Sequence, residues 1–264
     1  MNIKIIITVL LILICFESHS QNIYSALQHD RPIDLRENSN VSQINSTNKF
    51  YNSTGIEIHK EVSIINEKRR LVSELRYDET GKLIAKLSFK YDSTQTKSIS
   101  SKFERWNKFT GYTSETSTYD YDEKGFLIKV SDRNKNNVLI RETFLTNNEN
   151  GHPIELKLKE IDFNFSGKEI AEYDYINNSA DTKVVDENGK VISTNKSKID
   201  FSINKYPNSE YNELRDLVKS DNYEHEYKYD KHSNWTKQTI YKIVNGKRKK
   251  NRVFKRKIKY RQTL

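Results

Sequence analysis

From Leu71 to Tyr91 the chain reads LVSELRYDETGKLIAKLSFKY, two alternating runs on either side of a polar stretch that ends in glycine. Side chains on a strand change face at every residue, so each run builds one mainly apolar face. In the first run that face is Leu71, Ser73, Leu75 and Tyr77. In the second it is Leu83, Ala85, Leu87, Phe89 and Tyr91. Gly81 supplies the positive φ that a tight reversal needs. The stretch therefore predicts a β-hairpin, and most of the chain repeats it with variations.

The repeat is an aromatic or aliphatic residue, then Asp or Asn, two polar residues, and often Gly. It recurs as Tyr51-Asn52, Ile65-Asn66, Tyr77-Asp78, Tyr91-Asp92, Trp106-Asn107 and Tyr121-Asp122, with Asp/Asn positions 12 to 15 residues apart. Later copies are Asn147-Asn148, Phe163-Asn164, Val185-Asp186 and Tyr229-Asp230, and Asn245-Gly246 adds a further hairpin signal. That period holds one strand and one turn and leaves no room for a helix in each repeat. The turn residues Asp78 and Gly81, Asp122 and Gly125, Asp186 and Gly189, and Asp230 have a local task. The carboxylate accepts backbone N–H groups of its own turn, and glycine takes the left-handed conformation. At Asp230 the fourth position is Ser233 rather than glycine. Between Asn208 and Ser220 the alternation lapses, and Leu214, Leu217 and Val218 have helical spacing, which predicts a short helix or an inserted loop there.

The fold class expected is all-β: an antiparallel β-meander of repeated hairpins forming a long twisted or curled sheet. Charged residues make up 31% of the chain and mean hydropathy is −0.86, values that alone would admit disorder. The 16 Tyr and 11 Phe, set in regular alternation, argue for a folded protein with a thin core. A flat sheet of that length would leave an apolar face wet, so curling or self-association is expected.

Residues 1–20 have the anatomy of a secretory signal peptide: Lys4, the apolar run Ile5 to Phe16, and Ser18 and Ser20 before Gln21. Residues 21–49 read as a flexible polar leader, and residues 50–264 as the hairpin-repeat domain. Cys15 falls in the signal, so the exported chain would carry no disulfide, and no later stretch is apolar enough to span a membrane. The expected location is exported: periplasm, cell surface or medium.

The tyrosine–aspartate turns resemble the YD repeat of RHS-type proteins. They are similar also to short secreted β-repeat proteins of the Bacteroidetes, which end in Tyr-x-Tyr-Asp-x-x-Gly-Asn-Trp-Thr. Here that motif is Tyr227-Lys228-Tyr229-Asp230-Lys231-His232-Ser233-Asn234-Trp235-Thr236. The resemblance covers roughly Phe50 to Tyr260 and implies a structural repeat without an assigned activity. The shell role of large RHS proteins does not extend to a chain this short.

The chain contains no His-Glu-x-x-His, Gly-x-Ser-x-Gly, phosphate loop or dinucleotide fingerprint, and its acidic turns lack calcium-loop spacing. No catalytic residue, metal or cofactor is therefore assigned, and an enzyme is not expected. Charge is the other feature. Formal net charge is +9, and after Asp230 there is no acidic residue. Lys249, Lys250, Lys255, Lys257 and Lys259 are candidate anion contacts, while Tyr227, Tyr229 and Trp235 form an aromatic motif. A lysine-bearing last strand first suggests a sheet edge guarded against pairing. It also suits an anionic envelope polymer or an unidentified protein partner. Nucleic acid is not expected of an exported chain without a recognition motif.

The expectation is thus an exported, non-enzymatic scaffold or binding protein. One alternative is a carbohydrate binder that presents Trp106 or Trp235 to solvent. Another is a hydrolase in which two carboxylates converge in a cleft.

Overall fold

A computed structural model describes residues 22–30, 32–33, 35–36, 40–162, 165–199, 209–220 and 222–262. The signal-peptide expectation for residues 1–20 lies outside them. A short helix α1 (Ile23–Leu27) precedes seventeen strands. These are β1 (Val41–Asn52), β2 (Gly55–Ile65), β3 (Leu71–Tyr77), β4 (Leu83–Tyr91), β5 (Ser98–Asn107) and β6 (Gly111–Tyr121). Then come β7 (Leu127–Asn134), β8 (Leu139–Asn147), β9 (Pro153–Glu160), β10 (Phe165–Asp174), β11 (Ser179–Asp186) and β12 (Val191–Lys198). The last are β13 (Glu210–Tyr211), β14 (Leu217–Ser220), β15 (Tyr223–Tyr229), β16 (Trp235–Val244) and β17 (Lys247–Tyr260). All pair antiparallel with their chain neighbours up to β12 and again from β13 onward, the meander that alternation predicts.

The first and last strands meet. β17 pairs with β16 on one side and with β1 on the other, Ile44 opposite Ile258 and Phe50 opposite Arg252. The sheet therefore runs from β13 through β17 to β1 and on to β12, and no ladder joins β12 to β13 among the described residues. This corrects the edge-strand reading of the C terminus, because β17 pairs with β16 over residues 247–255 and with β1 over residues 252–260.

One turn design recurs at both ends of the strands. At Asp78, the N–H of Gly81 donates to the Asp78 carbonyl (3.0 Å) and the N–H of Asp78 to the Lys82 carbonyl (3.0 Å). The Asp78 carboxylate accepts the N–H groups of Thr80 (3.0 Å) and Lys82 (2.9 Å). Gly81 has φ +87°. This is a type I turn closed by a bulge, and the bulge moves one residue out of step. Leu75 lies opposite Lys86, whereas Glu74 lies opposite Leu87 and Arg76 opposite Ala85. Ser73 and Leu75 therefore lie on the other face from Ala85 and Leu87, while beyond a second register shift Leu71 lines the same cavity as Leu87 and Phe89. Around Asn212, where a short helix or an inserted loop was expected, the same turn stands, with Arg215 at φ 65° and β13 and β14 flanking it.

Within residues 21–49, the described residues from Asn22 to Arg36 form a strap packed on the sheet, and residues 41–49 belong to β1. α1 is capped by Asn22, whose Oδ1 accepts the Ser25 N–H (2.7 Å). Ile23 packs among Leu127, Val130, Leu145, Leu156 and Ala171. Leu27 packs with Ala180 and Ile199, and Leu35 with Val41, Ile44 and Ile65. Each of these three buried clusters thus contains a strap residue. At its far end, the Arg36 N–H donates to Asn234 Oδ1 (3.0 Å), and its guanidinium reaches Asp216 (2.5 Å).

These contacts require a curled sheet. Leu27 touches β11 while Arg36 touches the turn before β16, about a dozen strand spacings away, or roughly 55–60 Å across a flat sheet. The segment between them spans at most about 30 Å when fully extended. The sheet therefore wraps round the strap, which lies on its concave face at the end where β2–β3, β4–β5, β6–β7 and β8–β9 turn.

Candidate functional site

The turn residues singled out in the sequence are structural. Asp122 Oδ1 accepts the Phe126 N–H (2.8 Å), Asp186 Oδ1 the Lys190 N–H (2.9 Å) and Asp230 Oδ1 the Asn234 N–H (3.1 Å). Gly125 and Gly189 sit at φ +83° and +81°, and Ser233 takes the same left-handed place at φ 61°. Gly125 also passes under Lys97, whose ammonium donates to its carbonyl (3.0 Å).

The tyrosine that precedes the Asp at the strap end has its own task. Tyr91 donates to the carbonyl of Leu71 (2.8 Å), and Tyr173 to that of Pro153 (2.7 Å), each at the start of the preceding strand. Tyr121 lies 2.8 Å from the Ser98 carbonyl in the same way, and Asn147 fills the role with its amide toward Leu127 (2.8 Å). These hydroxyls hold strand starts that would otherwise present unpaired carbonyls. Burial pushes the phenols up, Tyr91 and Tyr119 to about 12.

Tyr227 and Tyr229 stack with ring centroids 5.9 Å apart, and Tyr229 donates to Asp216 (2.7 Å). Trp235 is half-buried with the Arg256 guanidinium 3.3 Å from its ring centroid. Trp106, also half-buried, lies 5.6 Å from Tyr112. Neither tryptophan stands open to solvent as a bare platform.

Under the strap, His29, Asp30, Ser98 and Tyr121 form a buried group. Asp30 accepts from the Ser98 N–H (3.0 Å) and hydroxyl (2.7 Å), and Tyr121 Oη lies 2.7 Å from it. Serine, histidine and aspartate together suggest a nucleophile triad, but the geometry is wrong. His29 Nε2 faces Tyr121 (2.8 Å), Ser98 (3.2 Å) and Asp30 (3.4 Å) alike, so the carboxylate sits on the nitrogen that would have to serve the serine and does not orient the ring through Nδ1. Burial lowers the His29 pKa, opposed by Asp30, and the group ties the strap to β5 and β6.

A cavity of about 570 Å³ opens beside this group, lined among others by Phe89, Phe103, Arg105, Tyr119 and Arg141. Arg141 gathers three carboxylates: Asp132 (2.7 Å), Glu115 (3.2 Å) and Glu160 (3.3 Å). A second concave opening of about 750 Å³ is lined by His59, Glu61, Arg76, Arg105 and Trp106. There Glu61 is pushed up by burial and by Glu74, while Glu74 itself pairs with Arg76 (2.6 Å).

The convex face carries the feature that stands furthest above background. Lys228 lies directly opposite Lys237, Lys237 opposite Lys255, Lys255 opposite Thr47, and Thr47 opposite Lys60. That row crosses β15, β16, β17, β1 and β2, roughly 19 Å from end to end at the usual strand spacing. Lys257 and Lys259 continue the same face along β17, and Lys49 continues it along β1. Past a bulge, Lys250 joins this face, 5.7 Å from the Tyr51 ring centroid, whereas Lys249 pairs with Lys242 on the other. Among the described residues Lys228, Lys255 and Lys257 make no ion pair, and the nearby Glu226 is occupied by Arg248 (2.6 Å). Like charges set directly opposite destabilise a sheet, so this arrangement costs stability. The lysine pattern of β17 was visible in the sequence, but Lys228, Lys237 and Lys60 join it only through register.

No protein-family model matches the chain, and no curated protein matches it. Among solved structures, the chain is similar to a porin-like protein from Bacteroides uniformis, with 11% identity, TM-score 0.46 and coverage of 84% of this chain and 98% of that one. It is similar also to TcdB2-TccC3-TEV (12% identity, TM-score 0.33), covering 76% of this chain and 14% of that one. TcdB2-TccC3-Cdc42 aligns at 12% identity and TM-score 0.32, over 79% of this chain and 16% of that one. At these scores no function carries over.

Proposed function

We propose that the protein is an exported, non-enzymatic β-repeat module that holds an anionic envelope polymer on its convex lysine face. The observation that carries this reading is the row in which Lys228, Lys237 and Lys255 oppose one another directly and Lys60 follows across Thr47, with no carboxylate at any position of the row. A rigid sheet that keeps like charges at strand spacing is destabilised until a polyanion neutralises it. The convex face is also unsuited to lipid contact. Lys86, Lys102, Lys129 and Lys157 stand in mid-strand on it, and each such charge at a bilayer midplane costs about 2–4 kcal/mol.

The test is binding of the chain from Gln21 to Leu264 to heparin, lipopolysaccharide and neutral glycans at low and physiological salt. The expected result is binding to the anionic members alone, lost with salt. Lys237→Thr and Lys255→Thr should each weaken it while raising stability by up to about 1 kcal/mol, since a repulsive pair is removed. Salt-resistant binding to a neutral glycan, or polyanion binding unchanged in both variants, would overturn the reading.

A second reading rests on Glu61 and Glu74. A raised carboxyl beside an arginine-paired one is the arrangement of a proton donor and an ionised partner. Turnover of an acidic or neutral oligosaccharide that disappears in Glu61→Gln would establish it. Absence of turnover across a glycan panel would dismiss it.

A further inference from the structure

At the strap end of the sheet, a pocket of about 290 Å³ is lined by His29, Arg70, Lys97, Tyr121 and His152. Its position follows from the turn design. The turn of Asn66 is tied to its neighbour through the Asn66 side-chain amide, which donates to the Gln95 carbonyl (3.1 Å). Arg70 leaves one turn and Lys97 leaves the other, so two cations enter the same space beneath α1.

Arg70 is held there by its backbone, whose N–H donates to Asn66 Oδ1 (2.9 Å). Two nitrogens of its guanidinium, Nε and Nη1, are buried and neither makes a hydrogen bond. An arginine keeps its charge under all ordinary conditions and has only donors to offer. Buried polar groups in folded proteins are almost always paired, so two unbonded donors on one guanidinium call for an acceptor. The carboxylate that shares the pocket, Asp30, is already engaged by the Ser98 N–H (3.0 Å), the Ser98 hydroxyl (2.7 Å) and Tyr121 (2.7 Å). Lys97 spends one donor on Gly125 (3.0 Å) and keeps others for the pocket.

We infer that this pocket is a binding site for a small oxyanion, a carboxylate or phosphate head group no larger than a monosaccharide, with Arg70 as its principal contact and Lys97 as its second. Its volume corresponds to about ten water molecules, which sets that size limit. The site lies on the concave side, away from the lysine face, and stands or falls independently of it. Because the strap, the turns that carry Arg70 and Lys97, and the ends of β6 to β9 all border it, its occupant would also fasten the strap.

The experiment is thermal unfolding of the chain from Gln21 to Leu264 with acetate, inorganic phosphate or glucuronate, each at constant ionic strength against chloride. The expected result is a saturable rise in Tm of at least about 2 °C with one of the three. Acetate and phosphate distinguish the two head-group chemistries, and glucuronate tests the size limit. Arg70→Met should abolish the saturable rise and Lys97→Met should shift its midpoint several-fold. If Arg70→Met does not fold, Arg70→Lys serves, with titration calorimetry as the readout and a several-fold weaker association expected. No saturable rise with any of the three probes, or an equal rise in Arg70→Met, overturns the inference.

Discussion

Arg141 offers the sharpest test of the concave interior. Its side chain is 7% exposed and that of Asp132 is 3% exposed, with 2.7 Å between Nε and Oδ2. Glu115, at 47% exposed, contributes little, because solvent screens it. Replacing Arg141 by Met removes the guanidinium and leaves the Asp132 carboxylate buried, with the Ser117 hydroxyl (2.6 Å) as its remaining side-chain donor. Breaking a buried pair in this way costs about 3–5 kcal/mol, most of it the stranded charge rather than the lost attraction. The double variant Arg141→Met with Asp132→Leu removes both charges and should recover much of the loss, giving a coupling energy on the order of 2–3 kcal/mol. Double-variant recovery is the check, and urea denaturation of wild type, both single variants and the double variant measures it. A loss in Arg141→Met below about 1 kcal/mol, or a double variant no more stable than Arg141→Met, refutes the reasoning.

Four further outcomes are expected. Ile23→Ala, which empties the strap's place among Leu127, Val130 and Leu156, should cost about 2–5 kcal/mol in urea denaturation and raise hydrogen exchange at the strap end of β7 to β10. His29 has a folded pKa below its unfolded value because it is buried, so its stabilising contribution is full above about pH 6.5 and is lost as pH falls through the folded pKa; the slope should disappear in His29→Gln. Ser233→Gly should raise the unfolding free energy by about 0.5 kcal/mol, since φ 61° strains any residue with a Cβ. Truncation after Gly246 removes β17 and unpairs both β16 and β1, so it should abolish cooperative unfolding rather than merely alter anion binding, as circular dichroism during denaturation will show.

The turns were legible because each is a local device. Asp78, Asp122, Asp186 and Asp230 and their partners three residues on lie within one hydrogen-bonded loop, and six letters of sequence suffice to specify it. The faces were harder to read. A bulge at each such turn shifts parity by one residue, so Leu75 came to oppose Lys86 although each run alternates faithfully. The strap was illegible for a different reason. Ile23 and Leu27 are four apart and Ile33 and Leu35 two apart, each a single pair too short to establish a period, and their partners lie far along the chain. The same holds for Asn212, whose turn was hidden by leucines that happen to have helical spacing. Of the lysine face, only Lys255, Lys257 and Lys259 were visible as a set, since they belong to one strand.

What joins the rest is the seam between β17 and β1. Each hairpin forms from neighbours in sequence, and a meander built only of such contacts would propagate without any required curvature. Pairing residues 41–50 with residues 252–260 imposes that curvature, at the loop-closure cost of bringing together segments that lie far apart in the chain. The strap supplies apolar side chains on the concave side that offset the cost, one in each buried cluster. The lysine row straddles this same seam: Lys228, Lys237 and Lys255 arrive from the C-terminal side, Lys60 and Lys49 from the N-terminal side. No fragment containing only one side can display it. The charged face is therefore a property of the completed sheet, and any partner that needs the full row binds the folded chain in preference to its hairpins.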